Sequence, residues 1–352
     1  MAEKRAVGKR GAFPRGLLVL LLGALAVRVL LVATTDGYLY DTNTFSAWAG
    51  LLNERGLSGF YTGGFFADYP PGYMFVLWAA GRVTEALGLT ALSGPALLVL
   101  CLAPVLCDLG LAALLYRAAL PRGGRRGALL AAACAAFNPA FIFDCAVWKQ
   151  VDAVLALLLL ACFLLLSKRR YLPAALFYGL ALLVKPQALL YGPVFALGFL
   201  LPVFFEKGRA RLEAALRTLG GAMVSVGAVV VLSAPFTGSQ TPVLWLLEKY
   251  FTTASSYPYA SINAFNFIAA LGGNWKPMTD RFLFLSWQGW GMLGILLVTA
   301  ALVLLAVRSY KNGRFNLPLL AAFYGLSLIH ISIQALTMVS VMGMPPKTGM
   351  VK

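Results

Sequence analysis

The chain has 352 residues, 60% of them hydrophobic and 12% charged, with a mean hydropathy of +0.80 and a formal net charge of +16. A soluble domain is about half apolar and a quarter charged, so this composition excludes a soluble globular protein and places the chain in a membrane. The positive charge does not indicate nucleic acid, because the basic residues sit in short loops between apolar runs. There they follow the positive-inside rule and attract anionic lipid.

Apolar runs of about 20 residues recur, which predicts an all-α, polytopic helical protein, whereas barrel strands would alternate over about 10 residues. Residues 1–13 form a basic N-terminus with Lys4, Arg5, Lys9 and Arg10, predicted to be cytoplasmic. Residues 14–34 are too long and unbroken for a signal peptide and are predicted as a retained first span. A transmembrane domain is expected over 14–325, with a first extracytoplasmic loop at 35–92. In that loop, Phe45, Trp48, Ala49, Leu51 and Leu52 fall on one face of a short interfacial helix, with Asp41 or Thr42 as its N-cap. The segment 71–92 starts at Pro70-Pro71 and carries Arg82 and Glu85. It is predicted to lie on or dip into the outer face, since a crossing would move Arg122–Arg126 outside.

Further spans are predicted at 93–117, 128–147, 151–167, 172–185, 187–204, 218–235, 282–307 and 315–335, for about nine or ten in all. Basic clusters at Arg122–Arg126, Lys168–Arg170, Lys207–Arg217 and Arg308–Arg314 follow four of them. With those clusters cytoplasmic, 148–152, 185–187 and a second loop at 236–281 share the outer side with the first loop. From 326 to 352 the composition changes character, and the run Ser327–Ser332 reads as foreign, which predicts a truncated or frame-shifted C-terminus. Cys101, Cys107, Cys134, Cys145 and Cys162 lie in apolar stretches without a CxxC and read as small core residues. With His330 the sole histidine, neither a metal site nor a cofactor is expected.

A charged side chain near a bilayer centre costs about 2.5–3.5 kcal/mol or more, so the islands of polarity are where function is sought. Asp41 is either a helix cap or a general base at the mouth of the first span, with Asp36 as its neighbour in competition. In Asp68-Tyr69-Pro70-Pro71 the acid either stands exposed at a helix start or holds the acceptor or first loop. Trp148-Lys149-Gln150-Val151-Asp152 is either a wet turn with Lys149 and Asp152 neutralising each other or a site lined by Gln150 and Asp152, with Lys149 meeting an anion. Lys185-Pro186-Gln187 interrupts two apolar stretches, as a kink with a snorkelling lysine or as a cation beside a phosphate. Ser255 to Asn266 offers amides and aromatic rings, including Asn263 and Asn266, which suit sugar hydroxyls and C–H faces or a plain interfacial loop.

In order and spacing, Asp41, the 68–71 segment, Asn138-Pro139, Trp148 to Asp152, Lys185-Pro186-Gln187, Pro235-Phe236 and the 263–266 loop resemble the GT-C glycosyltransferases. The likeness, over about 36–270, is to polyprenyl-phosphate-sugar-dependent members, namely dolichyl-phosphate-glucose glucosyltransferases and bacterial mannosyltransferase-like relatives. The resemblance implies a polyprenyl-phosphate sugar donor and an inverting hexosyl transfer to an extracytoplasmic glycan, lipid or protein acceptor, at a bacterial plasma membrane. It places the base at Asp41, a supporting acid at Asp68 and donor-phosphate contacts at Lys185 and Lys149. Tyr69, Trp148, Gln150, Asp152, Gln187, Asn263 and Asn266 become substrate contacts. Lys149 stands where bacterial relatives commonly have glycine, and the acid-and-arginine motif of their C-terminal spans is absent. The alternative is a transporter or lipid-linked-sugar flippase, which should show related halves and polar residues near the midplane of several spans. A noncatalytic scaffold would tolerate loss of Asp41.

Overall fold

The computed structural model describes residues 14–62, 64–262 and 266–331. The basic N-terminus 1–13, the tail from 332 onward and Asn263 lie outside the described residues. Among the described residues the fold is all-α with one two-stranded hairpin, and the chain divides into two compact units, Met1–Thr42 with Leu89–Leu157 and Asn43–Gly88 with Leu158–Lys352.

The first unit is built on α1 (Arg15–Thr34) and α4 (Gly94–Ala136). Ser93 caps α4 by accepting from the Ala96 amide, and Gly124, at φ 56° and ψ −170°, breaks it into two limbs. The break falls in the basic run Arg122–Arg126, where glycine adopts a left-handed φ at little cost. Leu17 of α1 packs with Tyr116 on one limb and Ala128 and Ala132 on the other.

The predicted span 128–147 is not one helix. Asn138 stops α4 and caps a short α5 (Pro139–Ile142) through the Ala140 amide at 2.9 Å. A π-helical turn, Phe143–Trp148, follows and ends at Lys149 in the left-handed conformation, φ 70° and ψ 36°. Proline at N1 is pre-set to start a helix, which is why the break falls there.

Most of α2 (Leu39–Gly59) belongs to the second unit. Neither Asp41 nor Thr42 is its N-cap, because both amides already donate to the Tyr38 carbonyl and the helix starts at Leu39. The predicted apolar face is real. Phe45 and Trp48 bury against Tyr69, and Phe45 also meets Tyr73.

The segment predicted to lie on the outer face forms α3 (Pro71–Ala86), which packs on α7 (Tyr171–Val184). A Cβ on Gly72 would come within 2.7 Å of the Leu183 carbonyl oxygen. The α7 helix lies against α9 (Gly208–Ser233) through Ala175, Gly179 and Ser225, the Ser225 hydroxyl donating to the Ala175 carbonyl at 2.6 Å. Small residues and an interhelical hydrogen bond are what hold helices together where lipid removes the hydrophobic driving force. Arg209, Arg211 and Arg217, predicted in a loop, lie on the first turns of α9.

Beyond a 3₁₀ turn (Pro186–Tyr191), α8 (Gly192–Phe205) packs on α9, while α10 (Pro242–Ser255) adds Leu246 and Tyr250 to a core with Leu183 and Val229. A hairpin of β1 (Arg281–Phe282) and β2 (Leu285–Ser286) precedes α11 (Trp287–Lys311), which pairs with α12 (Leu317–Ile331). The α12 helix continues past the boundary expected at 325.

Among the described residues, five helical segments are long and apolar enough to cross a membrane: Arg15–Thr34, Gly94–Ala136, Pro186–Phe205, Gly208–Phe236 and Trp287–Lys311. The segments predicted as spans at 151–167, 172–185 and 315–335 form shorter apolar helices. At 1.5 Å per residue, helices of 14 to 16 residues reach about 21–24 Å, short of the ~30 Å hydrocarbon core.

Candidate active site

In the first unit the predicted residues converge on one carboxylate. Asp41 Oδ2 accepts from the Trp148 indole Nε1 at 2.8 Å and from Gln150 Nε2 at 2.6 Å. The local fold makes this meeting possible. The π turn and the left-handed Lys149 reverse the chain so that residues on both sides of Lys149 face the start of α2. The Gln150 amide returns to the Asp144 carbonyl at 2.8 Å, and Tyr38 joins its amide to the Trp148 carbonyl and packs its ring on Trp148 at 5.3 Å. Burial raises the Tyr38 phenol above its ordinary pKa, with the Asp41 charge adding to the effect.

Lys149 is turned inward. Its Nζ donates to the Thr35 carbonyl at 2.6 Å and to the Thr35 hydroxyl at 2.8 Å, and the residue is 2% exposed. Desolvation lowers its pKa, opposed by the pull of Asp36. Gly37, at φ 79°, makes room beneath it, since a Cβ there would lie 2.7 Å from Lys149 Cδ. Asp152 stands in the first turn of α6 (Asp152–Ser167), where the helix dipole favours an acid.

In the second unit Lys185 and Gln187 flank the break in the helix and Tyr69 faces Lys185, while Asp68 is held by Thr253 and Tyr257. Pro186 has no amide to continue α7, so Lys185 leaves it extended, at φ −150° and ψ 141°. Lys185 is fully buried, with Nζ 5.3 Å from the Tyr69 ring centroid. Gln187 Oε1 is buried and, among the described residues, accepts no hydrogen bond. Tyr69 is a core aromatic whose carbonyl accepts from the Tyr61 hydroxyl at 2.8 Å. Asp68 Oδ2 accepts from the Tyr257 hydroxyl at 2.8 Å, and its carbonyl accepts from the Thr253 hydroxyl at 2.9 Å. Asn266 donates to Ser261 Oγ at 3.3 Å and caps the Ala269 amide at 2.8 Å.

Two groups escape the sequence reading. Lys249 lies 4.5 Å from the Tyr61 ring centroid, its pKa lowered by burial and partly restored by Asp68. The same acid, after burial, helps hold the Tyr61 phenol well above its usual range. Arg28 and Asp108 form an ion pair inside the apolar helices α1 and α4, with Nε donating to Oδ2 at 2.7 Å and Nη2 at 2.5 Å from the same oxygen. An arginine and an aspartate within two otherwise apolar runs were the available signal.

A carboxylate held by two side-chain donors and a buried lysine at a broken helix are parts suited to removing a proton and to holding an anion. The family model of glycosyltransferase family 87 matches residues 66–331, well over half of the chain. The chain belongs to glycosyltransferase family 87. This is a GT-C-like membrane family, so the protein is an integral membrane transferase with a sugar donor and an acceptor as substrates. Asp68, Lys149, Lys185 and Gln187 fall inside the matched range of the family 87 model, and Asp41 precedes it. No curated protein matches the chain.

Proposed function

We propose that this family 87 glycosyltransferase moves a hexose from a polyprenyl-phosphate donor to an extracytoplasmic acceptor with inversion, at a bacterial plasma membrane. Asp41 takes the proton from the acceptor hydroxyl as its oxygen attacks the anomeric carbon. The bond from that carbon to the phosphate oxygen breaks, and the polyprenyl phosphate leaves with the electron pair. The observation that carries the reading is the convergence of Trp148 and Gln150 on Asp41 Oδ2, which orients one carboxylate at the end of the first span.

The likeness to polyprenyl-phosphate-dependent enzymes supports Lys185 as the contact for the leaving phosphate, where anionic charge develops. Its full burial at a break in the helix favours that role, since cations are strongest where water is excluded. Asp68 is assigned a supporting place and Gln187 Oε1 a substrate hydroxyl, for which an unfilled buried acceptor is suited. Lys149 already donates twice to Thr35, so we assign it to holding the segment that leads to Asp41 rather than to phosphate. Tyr69 and Asp152, with Asn263 and Asn266 of the second loop, remain substrate contacts in this proposal.

The test is transfer of radiolabelled hexose from synthetic polyprenyl-phosphate mannose and polyprenyl-phosphate glucose to membrane acceptors. Transfer from either donor that is lost in Asp41→Asn supports the proposal. Use of a nucleotide sugar alone, or movement of the lipid across vesicles without transfer, would overturn it.

A further inference from the structure

We infer that the buried Arg28–Asp108 ion pair is a positioning device for Asp41, acting through Cys145 and the π turn that carries Trp148. The inference rests on the reading of Asp41 as the base. Two hydrogen bonds and one charge contact meet at Asp108 Oδ2. Arg28 reaches that oxygen through Nε at 2.7 Å and Nη2 at 2.5 Å, and the Cys145 thiol donates to it at 3.4 Å. Arg28 adds a bond from Nη1 to the Ala24 carbonyl at 3.1 Å, which fixes the guanidinium to its own helix. Both charged residues and Cys145 are fully buried or nearly so.

The connectivity makes this more than a membrane-buried pair. Arg28 lies on α1, the helix that leads through Thr35 and Gly37 to Asp41. Asp108 lies on α4, and Cys145 sits in the π turn three residues before Trp148. The pair therefore ties the segment that delivers the base to the turn that delivers both of its hydrogen-bond donors. Lys149 supplies the second tie, from the far end of the turn to Thr35. A π turn has one residue more than an α-helical turn and is often found at functional sites. One that slipped back to α-helical winding would carry Trp148 and Gln150 off Asp41.

Plain stability is a poor account of the pair. Buried ion pairs can commonly be replaced by apolar residues of similar volume without loss of stability, and their best-attested use is to set register. The charges here join three segments, α1, α4 and the π turn, at a single oxygen.

The test replaces both charges together, Arg28→Met with Asp108→Leu, so that neither is left unpaired. The full chain is labelled with 5-fluorotryptophan, and the Trp148 resonance is assigned by its loss in Trp148→Phe. Four quantities are read in nanodiscs: thermal stability, the ¹⁹F shift of Trp148, and both kcat and KM with the synthetic polyprenyl-phosphate hexoses. The expected result is a folded variant whose kcat falls on the order of ten- to a hundredfold. Its donor KM stays within about twofold, as expected when transition-state geometry and not binding is lost. Its Trp148 resonance moves as it does in Asp41→Asn. Cys145→Val is expected to show the same changes more weakly, and Cys145→Ser, which keeps a donor, to restore them.

A folded double variant with the wild-type Trp148 shift overturns the inference, as does a wild-type kcat where Asp41→Asn is inactive. If Asp41→Asn retains transfer while the Trp148 resonance still moves in the double variant, the ion pair positions Asp41 and only the base assignment falls. If the double variant does not fold, the Cys145→Val and Cys145→Ser pair decides by the same shift.

Discussion

Trp148 and Asp41 stand 107 positions apart in the chain and meet at 2.8 Å, the indole N–H donating to Oδ2. Gln150 donates to the same oxygen at 2.6 Å. Two donors on one oxygen turn the carboxylate to a definite orientation, and a base must be aimed within hydrogen-bond reach of the proton it removes. Trp148→Phe keeps the ring and removes the N–H. Hexosyl transfer is expected to fall on the order of tenfold, from the loss of one hydrogen bond to a charged group. Asp41→Asn is expected to cost ~10²–10⁴-fold, the usual contribution of general base catalysis. Equal losses in the two variants would show that Trp148 does more than orient the acid.

The backbone at Lys149 gives a second prediction. A left-handed residue with a side chain costs roughly 1–2 kcal/mol, and glycine removes that cost. Lys149 has φ 70° and offsets the strain with two bonds from Nζ to Thr35. Lys149→Gly loses the bonds and the strain together, whereas Lys149→Ala loses the bonds and keeps the strain. The melting temperature in detergent is expected to fall in Lys149→Ala and to stay near wild type in Lys149→Gly. An alanine variant as stable as the glycine variant would show that the left-handed turn relaxes.

At the α3–α7 contact the constraint is steric. A Cβ at Gly72 would lie 2.7 Å from the Leu183 carbonyl oxygen, closer than atoms of the backbone allow. The neighbour is main chain two residues before Lys185, so it has no rotamer with which to escape. Gly72→Ala is expected to destabilise by about 1–3 kcal/mol, in the range of overpacked cores. Gly64→Ala serves as the contrast, because nothing lies within 4 Å of a Cβ there and its cost would come from its φ of 67° alone. Unfolding followed by tryptophan fluorescence separates the two.

Much of this was legible before the fold was in hand, and the misses have physical causes. The unbroken run that becomes α1 can be read directly from length and apolarity. Asp41, Trp148, Gln150, Lys185 and Gln187 stand out because polarity is costly in such surroundings. Their bonds were not legible, since a π turn and one left-handed residue set which side chains face Asp41, and no spacing rule encodes either. Asp41 was open to reading as a cap because caps and bases use the same residue type. Tyr38 instead takes the Asp41 and Thr42 amides on its carbonyl, which moves the helix start upstream. Arg28 and Asp108 were each visible as a charge in an apolar run, but with 80 positions between them nothing in the sequence joined them. Lys249 was hidden for a different reason, since a lysine in a segment predicted as a loop is expected to be solvated, whereas it lies on α10.

That half-buried lysine yields a prediction with a definite sign in pH. Burial lowers the Lys249 pKa below its ordinary value of about 10.4, and the attraction of Asp68 restores only part of it. Between the lowered folded value and the unfolded value, the unfolded chain binds more protons than the folded one. Folding stability contributed by this group therefore rises with pH across that window. At neutral pH the folded protein bears the cost of a desolvated ammonium, eased by the Tyr61 ring at 4.5 Å. Lys249→Met removes the charge and its cost. Relative to wild type, the variant is expected to be most favoured near neutral pH, and to lose that advantage as the pH approaches 10. Melting temperatures of both proteins from pH 7 to pH 10 in one detergent measure this gap. A gap that widens toward alkaline pH would mean that Asp68 holds Lys249 charged more strongly than burial discharges it.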